Sequence, residues 1–271
     1  GAAAAARRLL QGLFAKHRIR TITSILPTKT IPWEFVNLIE PDPARRVKLR
    51  ISYNRLAELH PADLADILEE LSRDEQRSVI ESLDDETAAD AVCEIPTRMQ
   101  VALLNSLSAD KAADIVEEMA PDEAADVLQE LAPETTAEVL AHMEAEDAED
   151  VRELLGFEEN TAGGFMTNEF IVLLETATVE NSIETLKNFT RSLEAIHAVY
   201  LVDQSLVLTT VVPLALLLIS DKDAPLNTLV SDPVISVPFH ADKKTVINMF
   251  HKYNLLTLPV VDDNDRLLGV V

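Results

Sequence analysis

Cysteine, basic residues and long apolar runs are scarce in this chain, and each scarcity excludes a class of protein. Cys93 is the only cysteine, so no disulfide can form within the chain, which suits a reducing compartment. The longest apolar stretch, Leu206–Ile219, has 14 residues and contains Pro213, so it is too short for a membrane span and suits a buried strand and helix. Because no secretory signal is visible either, we predict a soluble, cytoplasmic chain.

Side chains that could support catalysis are present but are not arranged for it. The six histidines show no metal-ligand spacing such as His-x-x-x-His, and the serines and threonines show no nucleophile–base arrangement. Glycine is scarce as well, and the Gly163-Gly164 pair lacks the following Lys-Ser/Thr of a phosphate-binding loop. The sequence therefore predicts that the protein is not an enzyme and has no small-molecule substrate.

Negative charge is abundant and concentrated in the middle of the chain. The net charge is −24, and residues 59–155 alone hold 28 acidic side chains against 5 basic ones, whereas residues 1–58 carry a net charge of +7. An acidic field of this size repels nucleic acid and anionic lipid and attracts cations, so we predict no nucleic-acid partner. A solvated face that only keeps the chain soluble is the alternative explanation.

The acidic segment is built from a twelve-residue repeat that runs eight times without a gap, from Leu59 to Leu155. Apolar residues at positions 1, 9 and 10 of the unit, and more weakly at position 6, form one helix face. A helix of about nine residues is unstable alone in water, so each unit must lean on its neighbours, and the repeat predicts an α-solenoid. Position 9 is apolar in every unit: Ile67, Val79, Ala91, Leu103, Ile115, Val127, Val139 and Val151.

Acidic residues recur at positions 4 and 8 of the unit, which lie on one face of a helix because they are four residues apart. Each like-charge pair costs an isolated helix a few tenths of a kcal/mol, and a bound divalent cation would reverse that sign. Five units carry such a pair: Glu86/Asp90, Asp110/Asp114, Asp122/Asp126, Glu134/Glu138 and Glu146/Asp150.

The segments on either side of the repeat have a different periodicity. Residues 1–55 predict a small β module, with strands at Arg20–Leu26, Glu34–Glu40 and Arg46–Ser52 between turns that contain proline. Residues 56–156 form the predicted acidic helical domain. Residues 157–271 predict two copies of a β-α-β-β-α unit, at about 162–222 and 223–271, of which the second is truncated.

These residues carry a resemblance to a known family. The stretch TVINMFHKYNLLTLPVVDDNDRLLGVV resembles a cystathionine-β-synthase (CBS) module, which characteristically works in pairs. The repeat unit LHPADLADILEEL, followed by TAGGFMT and two such modules, is similar to the cytosolic part of MgtE-type magnesium transporters. Residues 1–55 loosely resemble a PRC-barrel module.

The resemblance implies a Mg²⁺ sensor at the inner face of the cell membrane. The helical domain and the CBS pair would close around Mg²⁺ when their facing carboxylates are neutralised, and would control a membrane pore domain in the same polypeptide or in a membrane partner. It also implies a homodimer through the CBS pair. The positions that match the family's ligands are Asp122, Asp126 and Asp242, whereas Lys244 and Asn254 stand where acidic residues are expected.

Two other functions compete with Mg²⁺ sensing. CBS pairs often bind adenine nucleotides, but the first copy carries Thr210, Pro213 and Leu216 where the nucleotide motif has Gly, Ser or Thr, and Asp, although the second copy keeps Gly269. The other alternative is an interaction scaffold without a ligand, because stacked short helices also resemble flagellar rotor switch subunits. The attached CBS pair argues against that assignment.

Overall fold

A computed structural model describes residues 36–41, 47–51, 53–189 and 196–271 of the chain. These residues form two compact units. One comprises the described residues up to 119 together with residues 126–148, and the other comprises residues 120–125 and 149–271. The predicted strand Arg20–Leu26 lies outside the described residues. Across the described ranges, no helix is both long enough and apolar enough to cross a membrane.

A hairpin precedes the helical repeats. Strand β1 (Val36–Pro41) pairs antiparallel with β2 (Val47–Ile51), so that Pro41 lies opposite Val47. A short 3-10 helix (Tyr53–Glu58) then leads into the repeats. The two strands correspond to two of the three strands that the sequence predicts for this part of the chain.

Each twelve-residue unit forms one short helix and its turn, which confirms the predicted α-solenoid. The helices are eight to eleven residues long. In chain order they are α1 (Pro61–Glu70), α2 (Arg73–Ile80), α3 (Asp85–Glu94), α4 (Thr97–Leu104), α5 (Ala109–Glu117), α6 (Pro121–Gln129), α7 (Pro133–His142) and α8 (Ala145–Leu155).

Local sequence sets where these helices begin. Asp84 and Ser108 accept the backbone N–H three residues later, and Ser72 forms a reciprocal capping box with Glu75. His60 also caps a helix, because its Nδ1 accepts the N–H of Ala62 at 3.2 Å. Proline starts α1, α6 and α7, where a missing N–H costs nothing.

Helices two units apart pack side by side. Helix α3 contacts both α1 and α5, α5 contacts α7, and α2 contacts α4. The apolar side chain at position 9 is buried in all eight units, from Ile67 to Val151. Burying one such aliphatic side chain stabilises the fold by about 1.5–3 kcal/mol, so this column supplies much of the packing between helices.

The corners between successive helices are held by polar side chains at position 6 of the unit. Gln76 Nε2 donates to the carbonyls of Leu68 (2.9 Å) and Leu71 (3.0 Å), at the end of α1. Gln100 donates to the carbonyl of Val92 at 2.8 Å, at the end of α3. Thr136 Oγ1 donates to the carbonyl of Leu128 at 2.9 Å, near the end of α6. Each bond brings a side-chain donor to a carbonyl at the end of a helix, where few intrahelical donors remain. The carbonyls of Leu68 and Leu128 also accept the N–H groups of Leu71 and Leu131.

The residues after the repeats form two copies of a β-α-β-β unit, and the first copy also has the final helix of the predicted β-α-β-β-α unit. The first copy contains β3 (Ile171–Leu174), α10 (Val179–Lys187), β4 (Ala198–Val202), β5 (Leu208–Pro213) and α11 (Leu214–Ile219), after a short helix α9 (Ala162–Phe165). The second contains β6 (Val237–Pro238), α12 (Lys243–Tyr253), β7 (Pro259–Val261) and β8 (Leu267–Val270). In each copy the first strand pairs parallel with the second, and the second pairs antiparallel with the third. A helical crossover joins each parallel pair.

The two copies share one core. Tyr200 and Leu208 of the first copy pack in a buried cluster with Val261 and Val270 of the second. The hydroxyl groups of Tyr200 and Thr257 are hydrogen-bonded at 2.8 Å. The β4–β5 turn also pairs with the β7–β8 turn, through the N–H of Leu208 and the carbonyl of Asp265 at 3.0 Å. The pair of copies is therefore a single packed body.

The TAGGFMT segment attaches to the second copy, although it precedes the first. The N–H groups of Ala162 and Gly163 donate to the carbonyls of Ala241 and Phe239, each at 2.8 Å. Thr167 exchanges two backbone hydrogen bonds with Val270, at 2.8 and 3.0 Å. A Cβ atom at Gly164 would lie 2.3 Å from the carbonyl oxygen of Glu158, so this tight path requires glycine there. The predicted start of the first copy at residue 162 is thus part of the edge of the second copy.

We predict that Gln76→Met destabilises the helical repeats by about 1–3 kcal/mol, because two hydrogen bonds at this corner are lost: the carbonyl of Leu71 loses the Gln76 donor, and the carbonyl of Leu68 keeps only the N–H of Leu71. Urea unfolding followed by far-UV circular dichroism measures the change. Gln129→Met on the exposed end of α6 is the control and should shift stability by less than about 0.5 kcal/mol. Equal unfolding midpoints for Gln76→Met and the parent chain would contradict a corner-holding role.

Candidate functional site

The five acidic pairs of the repeats differ in burial, and the Asp122/Asp126 pair stands apart. Asp122 is only 9% exposed and Asp126 is half-buried. A carboxylate that is this shielded from water needs hydrogen-bond donors or a cation nearby. In the other four pairs at least one partner is exposed to solvent, and in three of them both are: Glu86/Asp90, Asp110/Asp114, Glu134/Glu138 and Glu146/Asp150.

Helix α6 determines how Asp122 and Asp126 are presented. Pro121 is the first helical residue, which places Asp122 in the first turn and Asp126 one turn further along the same face. A negative charge in the first turn is favourable because the helix N-terminus is electropositive. The structure thus brings two of the three predicted ligands onto one shielded helix face.

The third predicted ligand, Asp242, has a structural task of its own. It is the N-cap of α12, and its Oδ1 accepts the N–H of Thr245 at 2.9 Å. Hydrogen bonds from the side chain and the backbone of Thr245 lower the pKa of this exposed carboxyl, and Lys244 adds to the effect. Asp242 therefore stays ionised, but one of its oxygens is already occupied by the helix cap.

Metal coordination in this protein would have to rely on few protein ligands at a time. Among the residues that the structure describes, no three His, Cys, Asp or Glu side chains are arranged to hold one metal ion. Mg²⁺ commonly keeps several waters and uses one or two carboxylates, so the Asp122/Asp126 pair is compatible with it in donor type and number.

Lys111 and His142 lie against acidic side chains of neighbouring helices, contacts that the sequence reasoning missed. Lys111 is the one lysine between Leu59 and Leu155, and its Nζ lies 2.5 Å from Asp85 Oδ1, linking α5 to α3. His142 at the end of α7 lies 3.5 Å from Asp110 at the start of α5. The isolated lysine in an acidic repeat was the available signal, but its partner 26 residues away could not be read from it.

A second group of carboxylates lies where α5 ends. The Glu117 side chain accepts the backbone N–H of Glu144, the residue before α8. Burial raises the pKa of Glu117, and the carboxylates of Asp147, Glu144 and Asp114 raise it further. Burial also raises the pKa of Glu118, together with the charges of four acidic residues: Glu86, Asp85, Asp147 and Asp84.

The positions that bear on nucleotide binding have packing roles in this fold. Thr210 lies within β5, opposite Leu201. Pro213 precedes the first residue of α11, and Leu216 is half-buried on that helix. Gly269 allows close packing, because a Cβ there would lie 2.7 Å from Met166 Sδ. Retention of Gly269 therefore has a structural explanation in the attachment of the TAGGFMT segment.

Two family matches cover parts of the chain. Residues 59–160 match the MgtE intracellular N domain, and residues 226–271 match the CBS domain. These ranges coincide with the helical repeats and with the second β-α-β-β copy.

Two curated proteins are similar to parts of the chain. The magnesium transporter MgtE of Bacillus subtilis is 28% identical over 224 residues, which are 83% of this chain and 50% of that protein. MgtE of Enterococcus faecalis is 37% identical over 127 residues, or 47% of this chain and 28% of that protein. The chain thus spans half or less of the length of these curated relatives.

Two solved structures have the same architecture. A crystal structure of the soluble part of a magnesium transporter has a TM-score of 0.74 and 30% identity, over 80% of this chain and 86% of that one. The cytosolic domain of the Mg²⁺ channel MgtE in complex with ATP has a TM-score of 0.76 and 28% identity, over 81% of this chain and 90% of that one.

We predict that Asp242→Ala lowers the melting temperature by a few degrees, because α12 loses its N-cap, whereas Asp242→Asn stays close to the parent chain because asparagine caps equally well. Differential scanning calorimetry at neutral pH measures this. Because the pKa of Asp242 is lowered in the folded chain, its stabilising contribution is present at neutral pH and is lost as the pH falls through that pKa. Identical melting of all three proteins would exclude the capping role.

Proposed function

We propose that this chain, which belongs to the MgtE family, is the cytosolic Mg²⁺-sensing region of a magnesium transporter. It consists of an intracellular N domain followed by a CBS pair. Its task would be regulatory and not enzymatic. The regulated object would be a membrane pore domain, in the same polypeptide or in a membrane partner, because the curated relatives are magnesium transporters. The chain would act at the cytoplasmic face of the membrane.

The observation that carries the proposal is the shielded carboxylate pair on α6. Asp122 and Asp126 combine a shared helix face with low exposure, which the other four acidic pairs lack. Together with Asp242 they are the residues that would hold Mg²⁺, whose two positive charges would offset carboxylate repulsion. Asp242 could offer the oxygen that its helix cap leaves available.

The proposed response is a shift between an open and a closed arrangement of the helical repeats and the CBS pair. Moving such an equilibrium from 1:99 to 99:1 requires about 5.5 kcal/mol of differential binding. One hydrated ion held by one or two carboxylates is a weak source of that energy. Several ions acting together can supply it, so the response should be cooperative in Mg²⁺.

A second copy of the chain is the further partner that we propose. All six residues of helix α11 are apolar, and two of them, Leu218 and Ile219, are 87% and 82% exposed. Large apolar side chains that lie together on a surface favour burial against a partner. In the proposed homodimer, the CBS pairs of two chains contact each other and bury Leu218 and Ile219.

We expect small-angle X-ray scattering to show a cooperative decrease in the radius of gyration as Mg²⁺ is added at constant ionic strength. The decrease should weaken in the Asp122→Asn/Asp126→Asn double variant, which keeps side-chain size and removes charge. It should persist in Glu134→Gln/Glu138→Gln, a matched change of an exposed pair on α7. Asp242→Asn, which retains the helix cap, tests the third ligand separately.

An unchanged radius at every Mg²⁺ concentration would refute the closing mechanism. A decrease that Na⁺ reproduces at equal ionic strength would do the same, because it would reflect general screening. ATP is the second candidate ligand, since a similar cytosolic domain was solved in complex with it. A response to ATP that is absent with Mg²⁺ alone would favour nucleotide sensing instead.

We expect sedimentation velocity to show a dimer for the parent chain and a monomer for Leu218→Glu/Ile219→Glu. Since both side chains are exposed, the variant should fold normally, with the circular dichroism spectrum of the parent. Ala141→Glu on the exposed surface of α7 controls for added charge and should remain dimeric. A parent chain that sediments as a monomer at all concentrations would rule out this interface.

A further inference from the structure

The acidic side chains of the repeats are distributed unequally between two rows of helices. Helix α3 packs against α1 and α5, and α5 packs against α7, whereas α2 packs against α4. The row of α1, α3, α5 and α7 contains 13 acidic side chains and one lysine. Helices α2 and α4 together contain two acidic side chains and three arginines. Negative charge in this part of the repeats is therefore concentrated on one row.

Three helices of that row present an exposed acidic pair at positions 4 and 8 of the unit. Because α3, α5 and α7 are equivalent units packed side by side, their pairs follow one another along one surface, which we call the acidic ridge. Packed helix axes lie about 8–10 Å apart, close to the Debye length at about 0.1 M salt, so the potentials of neighbouring pairs add. The six carboxylates of the acidic ridge are exposed to solvent: Glu86, Asp90, Asp110, Asp114, Glu134 and Glu138.

Basic side chains already lie at both helix junctions of this row. Lys111 on α5 places its Nζ 2.5 Å from Oδ1 of Asp85 on α3. His142 at the end of α7 places its Nε2 3.5 Å from Oδ1 of Asp110 on α5. The structure thus shows that basic side chains fit against this row. Two such groups are few for 13 acidic side chains, so the row as a whole stays strongly negative.

A segment of opposite charge precedes the described part of the chain. Residues 1–35 lie outside the described residues and contain six basic side chains and one acidic side chain, Glu34. They end at β1, and the hairpin and the 3-10 helix lead directly into α1, the first helix of the row. A chain of this length can span about 100 Å, whereas three packed helices cover about 20 Å, so the segment can reach the whole ridge. Its basic residues are Arg7, Arg8, Lys16, Arg18, Arg20 and Lys29.

We propose that residues 1–35 bind the acidic ridge of the same chain, through ion pairs between their arginine and lysine side chains and the ridge carboxylates. Arginine suits this surface because its planar guanidinium pairs with a carboxylate through two hydrogen bonds. The covalent link raises the effective concentration of the segment above that of a separate partner. Each exposed ion pair is weak by itself, so binding depends on several pairs at once and on the salt concentration.

The acidic ridge is distinct from the Mg²⁺ site proposed above, because Asp122 and Asp126 lie on α6, outside the ridge. The bound segment lowers the repulsion between α3, α5 and α7 without a metal ion. An anionic membrane surface is the competing partner for a basic segment, but it would repel the acidic row that follows in the same chain. The charge distribution therefore favours the ridge.

Tryptic cleavage of the full chain after Arg18 and Arg20 tests the proposal, with EDTA present and the products measured by mass spectrometry. An arginine that is paired with the ridge cannot enter the specificity pocket of trypsin. Neutralising the ridge in Glu86→Gln/Asp114→Asn/Glu134→Gln/Glu138→Gln should therefore accelerate cleavage severalfold at about 50 mM NaCl. At about 500 mM NaCl this variant and the parent chain should be cleaved at similar rates, because salt screens the ion pairs.

The matched control removes the same charge from exposed carboxylates outside the repeats, in Glu180→Gln/Glu184→Gln/Asp221→Asn/Asp223→Asn. It should be cleaved like the parent, and both variants should keep the circular dichroism spectrum of the parent. Equal cleavage rates of all three proteins at low salt would overturn the proposal. Equal acceleration of the control and the ridge variant would do so as well, because net charge alone would then explain the effect. Since EDTA removes Mg²⁺, these outcomes are independent of whether the chain senses Mg²⁺.

Carbodiimide cross-linking identifies the partner of the segment directly, because it joins a lysine to a carboxylate that it contacts. In a mixture of unlabelled and ¹⁵N-labelled full chains, Lys16 and Lys29 should be joined to ridge carboxylates of the same chain. Cross-links only between chains, or only to carboxylates outside the ridge, would contradict the proposed contact. Loss of the intrachain cross-links on addition of phosphatidylserine–phosphatidylcholine vesicles would assign the segment to a membrane instead.

Discussion

The structure depends on the inability of its helices to exist alone. Helices of eight to eleven residues are too short to be stable in water, so every unit of the repeat exists only through its neighbours. The buried side chains at position 9 and the polar side chains at position 6 provide the two kinds of contact that this requires. Because those contacts occupy one side of each helix, the other side can accept charge with little cost to the fold.

That division explains how the repeats tolerate 28 acidic side chains. Most of the charge lies on exposed surface, where water screens it and repulsion is weak. A minority of the carboxylates are partly removed from water, and Asp122 is the one that is buried. Repulsion between carboxylates is strongest where water is excluded, and the Mg²⁺ proposal rests on the most shielded pair, Asp122 and Asp126.

The sequence was sufficient for the periodic features and insufficient for the contacts between distant residues. The buried apolar residues at position 9, from Ile67 to Val151, could be predicted because the same pattern occurs in all eight units. The order of strands and helices after residue 170 followed from alternation and turn residues. Position 6 was predicted only as a weaker apolar position, and the role of Gln76 there could not be predicted because its acceptors lie at the end of another helix. The spacing alone did not distinguish the five acidic pairs, and only the family resemblance singled out Asp122 and Asp126. The burial of Asp122 depends on tertiary packing that no local pattern encodes.

The attachment of the TAGGFMT segment sets an order of events during synthesis. Thr167 is hydrogen-bonded to Val270, so this contact cannot form until the last strand, β8, has left the ribosome. The neighbouring bonds from Ala162 and Gly163 wait for residues 239–241 in the same way. The helices of the repeats emerge earlier, and the contacts between them can form before β8 is available. The nascent polypeptide therefore passes through a stage in which helices of the repeats are followed by a TAGGFMT segment that still lacks its hydrogen-bond partners.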